Sequence, residues 1–231
     1  HSSQFVRQKR RLTQEGIHAM EIIAHRGFWI SAEEKNTQTA FLRALENGFG
    51  IETDLRDFDG TLVISHDMAN AQCLSVDDFL KMVSKTNPSV SLALNIKADG
   101  LCQPLKALLA RYTANSFVFD MSIPDTLGYL RLGFTTYLRQ SEYECEPAFY
   151  DKAAGIWLDC FERDWFDHAT IMRHIDAGKK VCVVSPELHK RDYQAVWQML
   201  RALIEEQPVG NRLALCTDFP QDAQRFFNGA A

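Results

Sequence analysis

Eight short β-like runs, at residues 21–24, 50–55, 91–96, 116–119, 135–138, 155–158, 180–184 and 212–215, constrain the fold more than any other feature of the sequence. Most are separated by stretches with helical periodicity, at 37–47, 76–83, 101–112, 123–132, 167–177 and 192–205. In the first of these, Ala40, Phe41, Ala44 and Leu45 share a face, Asn36 or Thr37 caps the start and Gly48 ends it. Strands joined through helices cannot pair as hairpins and form a parallel sheet instead. Eight such units predict an α/β protein with a closed (β/α)8 TIM barrel. The competitor is an open doubly wound sheet, but no GxGxxG turn or P-loop follows any strand run.

The chain has 231 residues, 46% hydrophobic and 24% charged, the composition of an ordinary globular protein. No linker, low-complexity stretch or eighteen-residue apolar run divides it, so one domain and no stable membrane insertion are expected. Residues 1–19 carry Arg7, Lys9, Arg10 and Arg11 against Glu15 and have no apolar run for a signal peptide. His1-Ser2-Ser3 and the tripeptide ending at Met20 resemble the two ends of a purification tag. We therefore expect 1–19 to be an expression-tag or vector-derived segment and 20–231 to be the barrel. Without that segment the net charge of −5 becomes −8, from 21 basic and 29 acidic residues. Such a balance does not suggest a nucleic-acid partner, and an anionic ligand would need local cations. Six cysteines without a CxxC pair predict reduced thiols in a cytoplasmic protein.

In a parallel barrel the site forms where strands end. Here the first run closes in His25-Arg26-Gly27, the second carries Glu52 and Asp54, and the third ends with Asn95 and Lys97. Between the last two, an Asp59-Gly60 turn and the run 61–65 lead to His66-Asp67. Residues i and i+2 of a strand share a face, so Glu52 points with Asp54, and Asn95 with Lys97. Two carboxylates aimed at one point repel unless a cation lies between them, and oxygen ligands select a hard ion such as Mg²⁺ or Ca²⁺.

This ordered set, an HRG, an ExD, and an HD after a DG turn, resembles the glycerophosphodiester phosphodiesterase family. The resemblance extends through Asn36-Thr37 with Ala40-Phe41, Phe119-Asp120 and Thr217-Asp218-Phe219-Pro220, and so covers nearly everything from Met20 onward. It implies hydrolysis of a small-molecule glycerophosphodiester to glycerol phosphate and an alcohol. His25 and His66 would be the general acid and base, Arg26 and Lys97 the phosphate contacts, and Glu52, Asp54 and Asn95 the metal ligands. Water attack and attack by a neighbouring substrate hydroxyl both remain open.

Three departures from the family pattern stand out. Asn95 occupies the position of a third acidic ligand, with Asp120 as a substitute. Lys35 replaces the glutamate of a PENT stretch. Only residues 68–75 separate His66-Asp67 from the next helix, which predicts an open pocket. Arg139, Asp159 and Glu187, at later strand ends, are further candidates for lining the site. Two alternatives stay open: action on glycerol phosphate attached to a sugar or polysaccharide, and a catalytically silent phosphate-binding module.

Overall fold

The structure, a computed structural model, describes residues 20–229; the expected tag at 1–19 lies outside them. Nine strands form one sheet: β1 (Glu21–His25), β2 (Gly50–Phe58), β3 (Thr61–Ile64), β4 (Ser91–Ile96), β5 (Asn115–Phe119), β6 (Tyr137–Gln140), β7 (Gly155–Leu158), β8 (Lys180–Val184) and β9 (Leu213–Thr217). Eight are parallel neighbours in the order β5-β4-β2-β1-β9-β8-β7-β6, and β3 turns back antiparallel on β2. A single parallel bridge, Val118 to Thr136, links the two end strands and brings the barrel nearly to closure. Seven α-helices are present among the described residues: α1 (Gln38–Glu46), α2 (Val76–Thr86), α3 (Cys102–Leu109), α4 (Ile123–Arg131), α5 (His168–Asp176), α6 (Gln194–Glu206) and α7 (Pro220–Asn228). The connection from β6 to β7 has no α-helix, only the short 3₁₀ turn Tyr150–Lys152.

Strand alternation divides the core into two layers. Ile22, Ala24, Val118, Val181, Val183 and Leu215 face outward and pack under the helices. Ile23, Ala93, Phe117, Phe119, Tyr137, Trp157, Cys182, Val184 and Cys216 face inward and fill the barrel. Two stacked pairs dominate that interior, Phe117 on Tyr137 and Phe119 on Trp157, each with ring centroids 3.9 Å apart. Such pairs contribute about 0.5–1.5 kcal/mol beyond their area burial. Gly155 makes room for the first pair, because a Cβ there would lie 2.5 Å from the Tyr137 ring.

The inward parity continues one step further along several strands. It leads from Ile23 to His25, from Ala93 to Asn95, from Tyr137 to Arg139, from Trp157 to Asp159 and from Cys216 to Asp218. The interior column therefore turns from apolar to polar at the carboxyl ends of the strands, which places a polar floor under the barrel mouth.

Candidate active site

His25, Arg26, Glu52, Asp54, His66, Asn95, Lys97, Asp120, Arg139 and Asp159 all line one cavity of about 280 Å³ at this mouth. Of the candidates read from the sequence, Glu187 alone does not. Its carboxylate instead accepts hydrogen bonds from the hydroxyls of Ser185 and Thr217 and, at 3.0 Å, from the Asp218 amide. It braces the loop that carries Asp218, and burial raises its pKa.

His25 is set by its neighbours on both sides. Nδ1 lies 2.7 Å from Asp218 Oδ1, and Nε2 lies 3.8 Å from Glu52 Oε2. A carboxylate only accepts, so the Nδ1 proton is donated to Asp218 and Nε2 is left with its lone pair in the cavity. Burial lowers the His25 pKa, and the bond to Asp218 partly offsets this. The ring is therefore neutral near pH 7.

The next two residues need unusual backbone. Arg26 and Gly27 have φ of 58° and 86°, and a Cβ on Gly27 would lie 2.8 Å from the Ala40 Cβ. Glycine thus lets the loop press onto α1, where the Phe28 amide donates to the Ala40 carbonyl at 3.0 Å. The Arg26 amide donates to the Glu52 carbonyl at 2.9 Å, which turns its side chain toward the mouth.

Glu52 and Asp54 are 2% and 1% exposed, so their charges are felt in a poorly hydrated setting. Burial, then Asp54, push the Glu52 carboxyl well above its usual range, against the pull of Arg26 and Lys97. Asp54 sits between Lys97 Nζ at 3.5 Å, Arg26 Nε at 3.4 Å and the Asn36 amide at 2.9 Å. Asn36 in turn accepts from the Thr53 hydroxyl at 2.8 Å. The sequence marks Asn36 only as a candidate helix cap and gives Asp218 no site role, although both lie inside the stretches that carry the resemblance.

Asn95 pairs directly with Asp54 across β2 and β4, and its Oδ1 is buried without a hydrogen-bond partner. No three His, Cys, Asp or Glu side chains among the described residues group as a metal cluster would. Two carboxylates and this amide oxygen do line the same cavity, however. This all-oxygen set, with its unpartnered acceptor, fits a hard divalent ion, with one charge fewer than three carboxylates would give.

His66 differs from His25 in exposure. Its side chain is 44% exposed, its Nδ1 lies 2.9 Å from Asp67 Oδ1, and Arg56 holds its carbonyl with bonds of 3.1 and 3.0 Å. Across the mouth, Arg139 Nη1 lies 2.9 Å from Asp120 and its Nη2 2.7 Å from Glu144. His189, beyond β8, lies 2.7 Å from Asp159 and also lines the cavity. Trp29 lies outside the cavity lining; its indole N–H donates to the His25 carbonyl at 3.0 Å under Lys35.

No family model matches the sequence. A search of curated proteins likewise finds no relative. Solved structures do match. A glycerophosphodiester phosphodiesterase from Parabacteroides distasonis superposes with a TM-score of 0.63 at 16% identity, over 91% of this chain and 98% of that one. The fold is that of solved glycerophosphodiester phosphodiesterases. An Oleispira antarctica phosphodiesterase, solved with its product sn-glycerol-3-phosphate, gives 0.65 at 16% identity over 91% and 98%. A Ca²⁺-dependent phosphatidylinositol-specific phospholipase C from Streptomyces antibioticus gives 0.54 at 10% identity over 90% and 97%. At these identities the likeness is one of fold, and chemistry must be argued from the site.

Proposed function

We propose that the protein is a phosphodiesterase that hydrolyses a glycerophosphodiester to glycerol phosphate and an alcohol. One observation carries this reading: His25, oriented by Asp218 behind it, shares one cavity at the strand ends with the Glu52 and Asp54 carboxylates and the cations Arg26 and Lys97. The glycerol phosphate held by the Oleispira phosphodiesterase supports the choice of substrate.

Arg26 and Lys97 offer positive charge to the non-bridging phosphate oxygens without changing protonation. In-line displacement needs a base and an acid on opposite sides of phosphorus. His25, with Nε2 unprotonated, takes the proton of the attacking hydroxyl or water, and His66 gives one to the leaving alkoxide. Glu52, Asp54 and Asn95 would hold a divalent ion, Mg²⁺ or Ca²⁺, which when bound supplies further charge stabilisation to the phosphoryl group. The Ca²⁺ dependence of the Streptomyces phospholipase is in keeping with that choice.

The test is turnover of bis(p-nitrophenyl) phosphate and of glycerophosphodiesters, with and without EDTA. His25→Ala or His66→Ala is expected to lower turnover roughly 10²- to 10⁴-fold while thermal unfolding is unchanged. Saturable phosphate binding without turnover would instead make the chain a binding module, the alternative that the neutral Asn95 favours.

A further inference from the structure

We propose that the alcohol half of the substrate is a polyol, a sugar or a cyclitol, held by the part of the cavity that the phosphate residues leave unused. This rests on the phosphodiesterase reading above. His25, Arg26, Glu52, Asp54 and Lys97 all come from the ends of β1, β2 and β4. The other wall comes from the ends of β5 to β8, through Asp120, Arg139, Asp159, Phe161 and His189. The first wall also borders a groove beside Arg26 and His66, and the substituent of a bound phosphodiester that turns away from that groove lies against the second wall.

The second wall is rich in paired donors and acceptors. Arg139 is fixed by Asp120 at 2.9 Å and Glu144 at 2.7 Å, and His189 by the buried Asp159 at 2.7 Å. Phe161 joins the two pairs, with its ring 4.6 Å from the His189 ring and 5.5 Å from the Arg139 guanidinium. A hydroxyl both donates and accepts, so a ring of hydroxyls is matched by carboxylates standing beside a guanidinium and an imidazole. An amino alcohol would need an unpaired carboxylate or an open aromatic box. Within this wall Asp120 and Asp159 already have partners, and Phe161 already has a cation beside it. An acyl chain would have to bury these charges against hydrocarbon, which is costly.

The available volume points the same way. Asp120 and Arg139 also line a neighbouring groove of about 560 Å³ over the β6–β7 connection. Pockets of this size hold ligands much larger than a two-carbon alcohol.

The experiment compares kcat/KM for four diesters of glycerol phosphate, with inositol, glucose, choline and ethanolamine as the alcohols. The inositol or glucose diester is expected to exceed both amino-alcohol diesters by at least about tenfold, as a site built to hydrogen-bond hydroxyls requires. Asp159→Ala, which releases His189, and Phe161→Leu are each expected to bring that ratio toward one, mainly through a higher KM for the polyol diester. Thermal unfolding confirms that the variants fold. Equal or better turnover of the choline or ethanolamine diester overturns the polyol inference, as does a ratio that persists in both variants. In those cases His25-dependent turnover of bis(p-nitrophenyl) phosphate leaves the phosphodiesterase reading standing. Absence of turnover with every diester sinks that reading, and the polyol inference with it.

Discussion

The His25 proton has one acceptor on the Nδ1 side, and that single contact to Asp218 decides which nitrogen can act as base. Replacing Asp218 with Asn presents either an amide donor or a weaker acceptor, so the proton is free to move to Nε2. Asp218→Asn is expected to lower kcat roughly 10²-fold or more with KM little changed. An unaltered kcat would show that His25 does not act through Nε2. A second residue-scale prediction concerns Asn95: Asn95→Glu adds a charged oxygen beside Asp54 and is expected to lower the half-saturating Mg²⁺ or Ca²⁺ concentration. A higher or identical value would remove Asn95 from the ligand set. The main candidates are legible in the sequence because strand parity aims Glu52 with Asp54 and Asn95 with Lys97. Asp218 is not, because its partner lies 193 residues away and no local pattern records such a contact. The pairing of His189 is hidden for the same reason: its partner Asp159 stands just beyond β7, 30 residues earlier.

Helix α5 carries an ionisable group that links the elements to pH. His174 is 3% exposed, with Nε2 2.7 Å from the Gln140 side-chain oxygen on β6 and Nδ1 2.7 Å from the Tyr150 hydroxyl. Burial, then Arg173 and Lys179, push its pKa down to about 4 from an ordinary 6.5. The unfolded chain therefore binds a proton that the native state refuses. The stability is fully present above pH 6.5 and is lost as pH falls from there through about 4. At pH 5 the loss from this group is about 2 kcal/mol. Denaturant titrations at pH 8 and pH 5 should show the wild type losing about that much more than His174→Gln. Equal losses in the two proteins would refute the linkage. The cap of the same helix gives a separate check at pH 8: the Asp167 side chain accepts from the Thr170 amide at 2.9 Å, and Asp167→Ala should lower the denaturation midpoint. Identical denaturation midpoints for the two would argue against the cap. Elements with a clear apolar face, such as α1, were readable in the sequence. The run read at 135–138 lies at Tyr137–Gln140 instead, because Thr135 and Thr136 have strand-like shapes but form the seam. Arg139 and Gln140 are polar strand residues because they meet the cavity and His174. Helix α7 escaped notice because its nine residues bury only Pro220 and Ala223.

At the scale of the whole molecule, the barrel is uneven. Between β2 and β4 five residue pairs lie in parallel register, and between β1 and β9 four, whereas β5 meets β6 at one bridge, through the Val118 amide and the Thr135 carbonyl at 2.9 Å. The following connection lacks an α-helix, so the outer face of β6 has less helical cover than its counterparts. The alternation of runs in the sequence anticipated the barrel but not this seam, because registers between distant strands are set by packing rather than by periodicity. Local opening is easiest where backbone bonds and buried apolar contacts are fewest. Two features nonetheless tie the seam to the rest: the Phe117–Tyr137 stack across it inside the barrel, and the Arg139–Asp120 pair above it. The balance predicts that native-state hydrogen exchange will find Val118 and the β6 amides exchanging through local openings, at lower free energy than those of β1, β2 and β4, which exchange through global unfolding. Tyr137→Leu, which removes the stack, is expected to speed exchange at β5 and β6 at least about tenfold more than at β1. Uniform protection around all eight barrel strands, with an equal response to Tyr137→Leu, would mean that the single bridge closes the barrel as firmly as a full ladder.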